Sequence, residues 1–157
     1  MKSQRPTEFG FTLIELLVVV VVLGVLASLG ASGFQSLIQS QRAKNASFEL
    51  FSSLSLARSE AIKRDNPVTL APTDGANWGN GWTITSAAGT IRSQSELKKI
   101  VISQGSASVV YAPTGRATVA APFLLDVSTT PTANARCIKI ELSGMPRVSK
   151  PAGGVCS

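Results

Sequence analysis

Few residues in this chain could do chemistry, and the gaps narrow the field. There is no histidine, so the usual general base and the commonest metal ligand are missing. Asp74, Glu96, Asp126 and Glu141 are scattered along the chain, and no spacing pairs them for acid–base work. A Walker loop and a Ser–His–Asp set are also missing. The chain is therefore expected to be no enzyme and to use no cofactor. Its two cysteines, Cys137 and Cys156, lie close together near the C terminus. A disulfide between them would tie the tail onto the last strand, worth roughly 3 kcal/mol by chain-entropy arguments. A metal site would need further cysteine or histidine ligands, and a thioredoxin-like role would need Cys-x-x-Cys. The structural disulfide is the expectation.

One acid stands in an unusual place. From Phe11 to Ala31 the chain is apolar except for Thr12, Glu15, Ser28 and two glycines. A bilayer core needs about 20 such residues as helix. Val18 to Val22 would suit a strand in water, but in lipid an open strand leaves its backbone groups unpaired, so a helix is expected. Lys2 and Arg5 precede the block and favour a cytoplasmic start with an exported remainder. A secretory signal peptide would show a small-residue cleavage site after the apolar core, and Ala27-Ser28-Leu29 matches this imperfectly. Neither a signal peptide nor a plain anchor needs Glu15. An ionised carboxylate at the bilayer centre costs roughly 3 kcal/mol, and intramembrane acids usually have a partner. An α-amine made by cutting between Gly10 and Phe11 would supply one. Glycine leaves room there for a protease to grip the backbone.

Gly10-Phe11-Thr12-Leu13-Ile14-Glu15-Leu16 resembles the class III signal of type IV prepilins and type II secretion pseudopilins. The resemblance implies that a prepilin peptidase cuts after Gly10 and N-methylates Phe11. It implies that Glu15 guides assembly by meeting the N-terminal amine of a neighbouring subunit. Residues 1–10 would be a cytoplasmic leader and 11–31 a transmembrane and assembly helix. The partners implied are the peptidase, other pilins or pseudopilins, an inner-membrane assembly platform and inner-membrane lipid. The domain would lie in the periplasm before joining a pilus or pseudopilus. Many members carry Ala-x-Pro-x-Phe after the apolar core. This chain reads Ala31-Ser32-Gly33-Phe34, where Gly30 and Gly33 could loosen the helix.

Residues 32–66 read as an amphipathic continuation. Phe34, Leu37 and Ile38 start an apolar stripe, which Phe48, Leu50, Phe51, Leu54, Ala57, Ala61 and Ile62 continue with mostly three- and four-residue steps. The pattern stops at Asn66-Pro67. A helix over 11–65 would be about 80 Å long. Lys63-Arg64 fits a helix C terminus, where cations complement the dipole. Residues 67–157 alternate short β-type runs with turn residues. The candidate strands are Pro67–Ala71, Gly81–Ser86, Lys99–Ser103, Ser108–Tyr111, Thr118–Val119, Phe123–Val127 and Arg136–Leu142, with Arg147-Val148 starting a partner strand. In the Arg136–Leu142 run, Ile138, Ile140 and Leu142 would share one face. The fold class is α+β and pilin-like, a long N-terminal helix packed on a small, mostly antiparallel sheet.

Trp78-Gly79-Asn80-Gly81-Trp82 reads as core tryptophan beside a tight turn. A stacking site would need interleaved aromatic and basic residues. This run and Ala57–Arg64 resemble elements of the FimT/GspH family, which narrows the resemblance to minor pilins and pseudopilin H. The net charge of +6, from 15 Lys and Arg against 9 Asp and Glu, favours anionic partners. Some FimT proteins carry a C-terminal Gly-Arg-x-Arg motif for DNA. Gly144-Met145-Pro146-Arg147 matches it with the first arginine replaced by Met145. Arg136, Lys139, Arg147 and Lys150 still form a basic cluster. The leading function is thus a structural filament subunit, and the alternative is DNA capture through Arg147 and Lys150.

Overall fold

The computed structural model describes residues 11–126 and 134–156, with the side chains of 28–33 not described. The leader 1–10, including Gly10, and Val127 lie outside the described residues. The chain divides into two compact units, Met1–Leu37 and Ile38–Ser157.

Helix α1 (Leu13–Arg64) contributes to both units. From Phe11 to Ala27, in the first unit, the side chains are apolar apart from Thr12 and Glu15, and all of these residues are exposed. Val18 to Val22 are helical despite their β-branched side chains. The helix assignment also runs unbroken across Gly30 and Gly33. The described side chains of the apolar block stop at Ala27, and among the described residues no helix is long and apolar enough to cross a membrane.

In the second unit the same helix carries a narrow buried stripe. Ala43, Ala46, Leu50, Leu54, Ala57 and Ala61 are buried, at the three- and four-residue steps of a 3.6-residue period. Phe34, Leu37, Ile38, Phe48 and Ile62 were expected on this stripe and are exposed instead. The small alanines let the sheets approach that face, and the bulky residues fall outside it. The helix ends in a Schellman arrangement. Asp65 takes a left-handed φ of 49°. Asn66 N donates to Ala61 O at 3.3 Å and Asp65 N to Ile62 O at 3.4 Å. Pro67 follows, which cannot continue a helix.

Among the described residues, eight strands make two antiparallel four-stranded sheets rather than the single sheet expected. They are β1 (Val68–Pro72), β2 (Trp82–Ser86), β3 (Gly89–Gln94), β4 (Val101–Ser103), β5 (Val109–Tyr111), β6 (Ala121–Asp126), β7 (Arg136–Ile140) and β8 (Pro146–Ser149). The first sheet has the order β3-β2-β1-β5 and the second β4-β6-β7-β8. Leu50, Leu54, Val68, Leu70, Trp82, Tyr111, Phe123 and Ile138 meet in one buried cluster, so helix and both sheets share a core. Each such large side chain contributes about 1.5–3 kcal/mol by leaving water.

Three strand expectations change. Strand β3 was not anticipated, because its residues are mostly polar and exposed, as suits an edge strand. Thr118–Val119 forms no strand, although Thr118 N donates to Val110 O at 2.9 Å. Leu142 is exposed because β7 stops at Ile140 and the chain turns, with Gly144 N donating to Glu141 O at 2.8 Å.

Candidate functional site

At the helix start, Thr12 stands just before the first helical residue and Glu15 is the third within it. This is the spacing of a capping box. Thr12 N donates to Glu15 Oε2 at 3.2 Å, and Thr12 Oγ1 donates to the same oxygen at 3.1 Å. In return Glu15 N donates to Thr12 Oγ1 at 3.3 Å, and Leu16 N to Thr12 O at 3.2 Å. Backbone donors that a helix start leaves orphaned are thereby satisfied, and the carboxylate sits at the positive end of the helix dipole. Glu15 thus has a partner within its own chain. The Thr-x-x-Glu spacing is the sequence signature of this contact. Phe11 is exposed beside this cap.

The second sheet carries the other singled-out residues. Cys137 and Cys156 are joined in a disulfide with Cα atoms 5.6 Å apart. Cys156 N donates to Gln104 Oε1 at 3.1 Å, which pins the tail a second time. Lys139 on β7 stands directly opposite Arg147 on β8. Both are exposed, as is Lys150. Arg136 is differently occupied, since its Nη1 donates to Asn134 O at 3.0 Å and to Ala135 O at 2.9 Å.

Gly144, the glycine of the DNA-motif match, has a structural duty. It holds a φ of 79°, and a side-chain carbon there would run into Gly115 O. Gly115 O also accepts from Arg58 Nε at 2.9 Å. The helix, the turn after β5 and the turn after β7 therefore meet at one carbonyl. An apolar hollow of about 200 Å³ lies beside this junction, between Phe51, Arg58, Ile62, Met145 and Pro146.

The tryptophans are core. Trp78 and Trp82 are buried, with ring centroids 6.3 Å apart. Trp78 meets Phe123 edge-on at 4.9 Å and donates from Nε1 to Ser106 O at 2.9 Å. A buried ring has no face left for a sugar or base. The turn between them needs Gly81, whose φ is 98° and whose absent side chain makes room for Gln94 O.

The acids stay apart. Asp74 caps the connection after β1, accepting from Asn77 N at 2.7 Å, Ala76 N at 2.9 Å and Asn80 Nδ2 at 2.8 Å. Those hydrogen bonds hold its carboxyl below the usual aspartate range. Glu60 accepts from Arg64 Nε at 2.6 Å, and that guanidinium lowers its carboxyl too. Asp126 is buried at the end of β6, and Glu141 is exposed after β7. Among the described residues no cluster of acids, cysteines or histidines could hold a metal ion.

A capped apolar helix that continues into a two-sheet, helix-backed domain defines a pilin-type subunit. The family model described as type II transport protein GspH matches residues 46–144, so the chain belongs to the GspH family. The prokaryotic N-terminal methylation motif matches residues 5–31. Two crystal forms of the Pseudomonas aeruginosa type IV minor pilin FimU share the fold. One is 21% identical with a TM-score of 0.56, covering 68% of this chain and 91% of that one. The other is 22% identical with a TM-score of 0.57, covering 71% and 90%. No curated protein matches the sequence significantly.

Proposed function

We propose that the chain is a minor subunit of a type IV pilus or a type II secretion pseudopilus. It is made as a precursor and held in the inner membrane before assembly. The observation that carries this reading is the capped helix start, behind which every described side chain from Leu16 to Ala27 is exposed and none is charged. Residues 11–31 enter the bilayer, with Lys2 and Arg5 on the cytoplasmic side. Prepilin peptidase cuts between Gly10 and Phe11 and methylates Phe11. The new amine then lies beside a carboxylate that Thr12 already holds at the helix start. On assembly Glu15 meets the amine of a neighbouring pilin, lifted out by the inner-membrane platform. The role is structural rather than catalytic.

Processing is tested by intact mass of the full chain made with and without prepilin peptidase. Loss of residues 1–10 and gain of one methyl group is expected, and an uncut chain overturns the precursor reading. The two duties of Glu15 separate in a pair of variants. Glu15→Gln keeps a capping side chain and removes the charge, whereas Glu15→Ala removes both. Normal processing with poor filament incorporation is expected of each, and normal incorporation of Glu15→Gln would sink the charge-pairing role.

One observation favours a second reading, DNA capture. Like charges directly opposite on paired strands repel, and Lys139 faces Arg147 in this way. A phosphate between them would relieve that repulsion. Duplex binding that weakens steeply with salt, and whose salt slope falls in the Arg147→Ala/Lys150→Ala variant, is the expected mark of this activity. Binding unaffected by that variant counts against it.

A further inference from the structure

A second cationic site lies in the domain, away from the Lys139–Arg147 pair. Leu97, Lys98, Lys99 and Ile100 form a tight turn, closed by Ile100 N donating to Leu97 O at 3.1 Å. Both flanks are anchored. Leu97 N donates to Gly79 O at 3.0 Å, and Leu97 and Ile100 pack against the core. The two lysines are left exposed at the tip, and Lys99 is held at a φ of 60°. Glycine is the residue that takes this conformation without steric cost, so a lysine there is retained against local preference.

Across from the turn, Arg42 projects from α1. Arg42 and Lys98 line a hollow of about 150 Å³ whose floor is Ala46, Leu97 and Ile100. Its one acid, Glu49, is 3.7 Å from Arg92 on β3. Arg42, Lys98 and Lys99 make no ion pair among the described residues. The hollow therefore offers unpaired cations above an apolar floor. That combination suits a phosphate joined to apolar matter better than a bare polyanion, which Glu49 and nearby Glu96 would repel.

We propose that Arg42, Lys98 and Lys99 bind the phosphate of an acidic phospholipid headgroup, so that the domain rests on the membrane surface before assembly. The inference rests on the membrane insertion of residues 11–31 proposed above. Such contacts strengthen attraction to an anionic leaflet by about fivefold for each cation near the surface.

The test places the full chain in lipid nanodiscs and follows amide hydrogen exchange in the Leu97–Ile100 turn. Discs of phosphatidylcholine are compared with discs containing phosphatidylglycerol. Acidic lipid is expected to slow exchange at this turn by about fivefold or more. Arg42→Gln and Lys98→Gln should each lose most of that protection, while Lys63→Gln should keep it. Lys99→Gly discriminates further, because glycine fits the turn at least as well. It should leave thermal stability unchanged or raised and still lose protection, which a purely structural Lys99 would not do. Equal exchange in both discs overturns the proposal. Equal protection by inorganic phosphate, or by a short DNA duplex, in neutral discs overturns the lipid as the source. Release of the chain from neutral discs overturns the membrane reading itself, and the lipid proposal falls with it.

Discussion

Helix α1 passes through two regions that treat apolar residues in opposite ways. In the second unit, one stripe from Ala43 to Ala61 is buried to the last few per cent, with Phe51 and Leu56 partly buried beside it. In the first unit there is no stripe, since Leu13, Ile14, Leu16, Leu17 and the valines that follow are exposed on all sides. One stretch of helix thus finds its cover inside its own chain. The other needs cover from outside, which a bilayer or a bundle of like helices would provide. A one-sided pattern announces an internal partner and an all-round pattern an external one.

The sharpest way to break this contrast is to truncate one residue in each region. Leu54→Ala removes a fully buried side chain and should destabilise the domain by about 2–5 kcal/mol. Val20→Ala should leave the domain's urea midpoint where it was. A comparable loss from both would mean that the two regions share one cooperative unit. Next in size is the disulfide, whose removal in Cys137→Ser/Cys156→Ser should cost about 3 kcal/mol in thermal unfolding. A change within error would show that the Gln104 contact suffices to hold the tail.

Glycines sharpen the comparison. Gly144→Ala drives a methyl group into Gly115 O from a left-handed position and should cost about 1–3 kcal/mol. At Gly24 an added methyl meets nothing within 4 Å, so Gly24→Ala should leave the domain unchanged. The smallest effect concerns the single tyrosine, Tyr111. Its buried hydroxyl has no partner among the described residues. Tyr111→Phe should be neutral or stabilising, within about 1 kcal/mol. Burial, partly offset by Arg58, pushes the phenol up to about 12 from 10.0. The unfolded chain therefore ionises first, and stability present below pH 10 is lost as pH rises toward 12. Tyr111→Phe should lose less stability over that window, and parallel curves would contradict the burial of the ring.

Much of this was legible in the sequence. The helix end at Asn66-Pro67, the core tryptophans and most strands followed from period, turn residues and composition. What was not legible has physical causes. Alanines at 43 and 46 carry little hydrophobic signal, yet they are buried because smallness is what the packing needs. Phe48 and Ile62 carry strong signal and fall on the wrong side. Strand β3 pairs with β2 and sends only Ile91 against the core, so no alternation marks it. At the candidate site, the basic residues were visible, but the register that sets Lys139 opposite Arg147 belongs to the sheet.

The buried pair of indoles has a spectroscopic consequence. The chain's two tryptophans lie with centroids 6.3 Å apart and planes inclined by 49°. Rings so close and so tilted couple their electronic transitions, which gives the native domain a near-ultraviolet dichroism that its unfolded form lacks. The same pair emits from a dry, apolar setting and shifts to longer wavelength when water reaches it. Both indoles belong to the second unit, so this built-in optical gauge reports the domain's integrity and is blind to the fate of the apolar segment ahead of it.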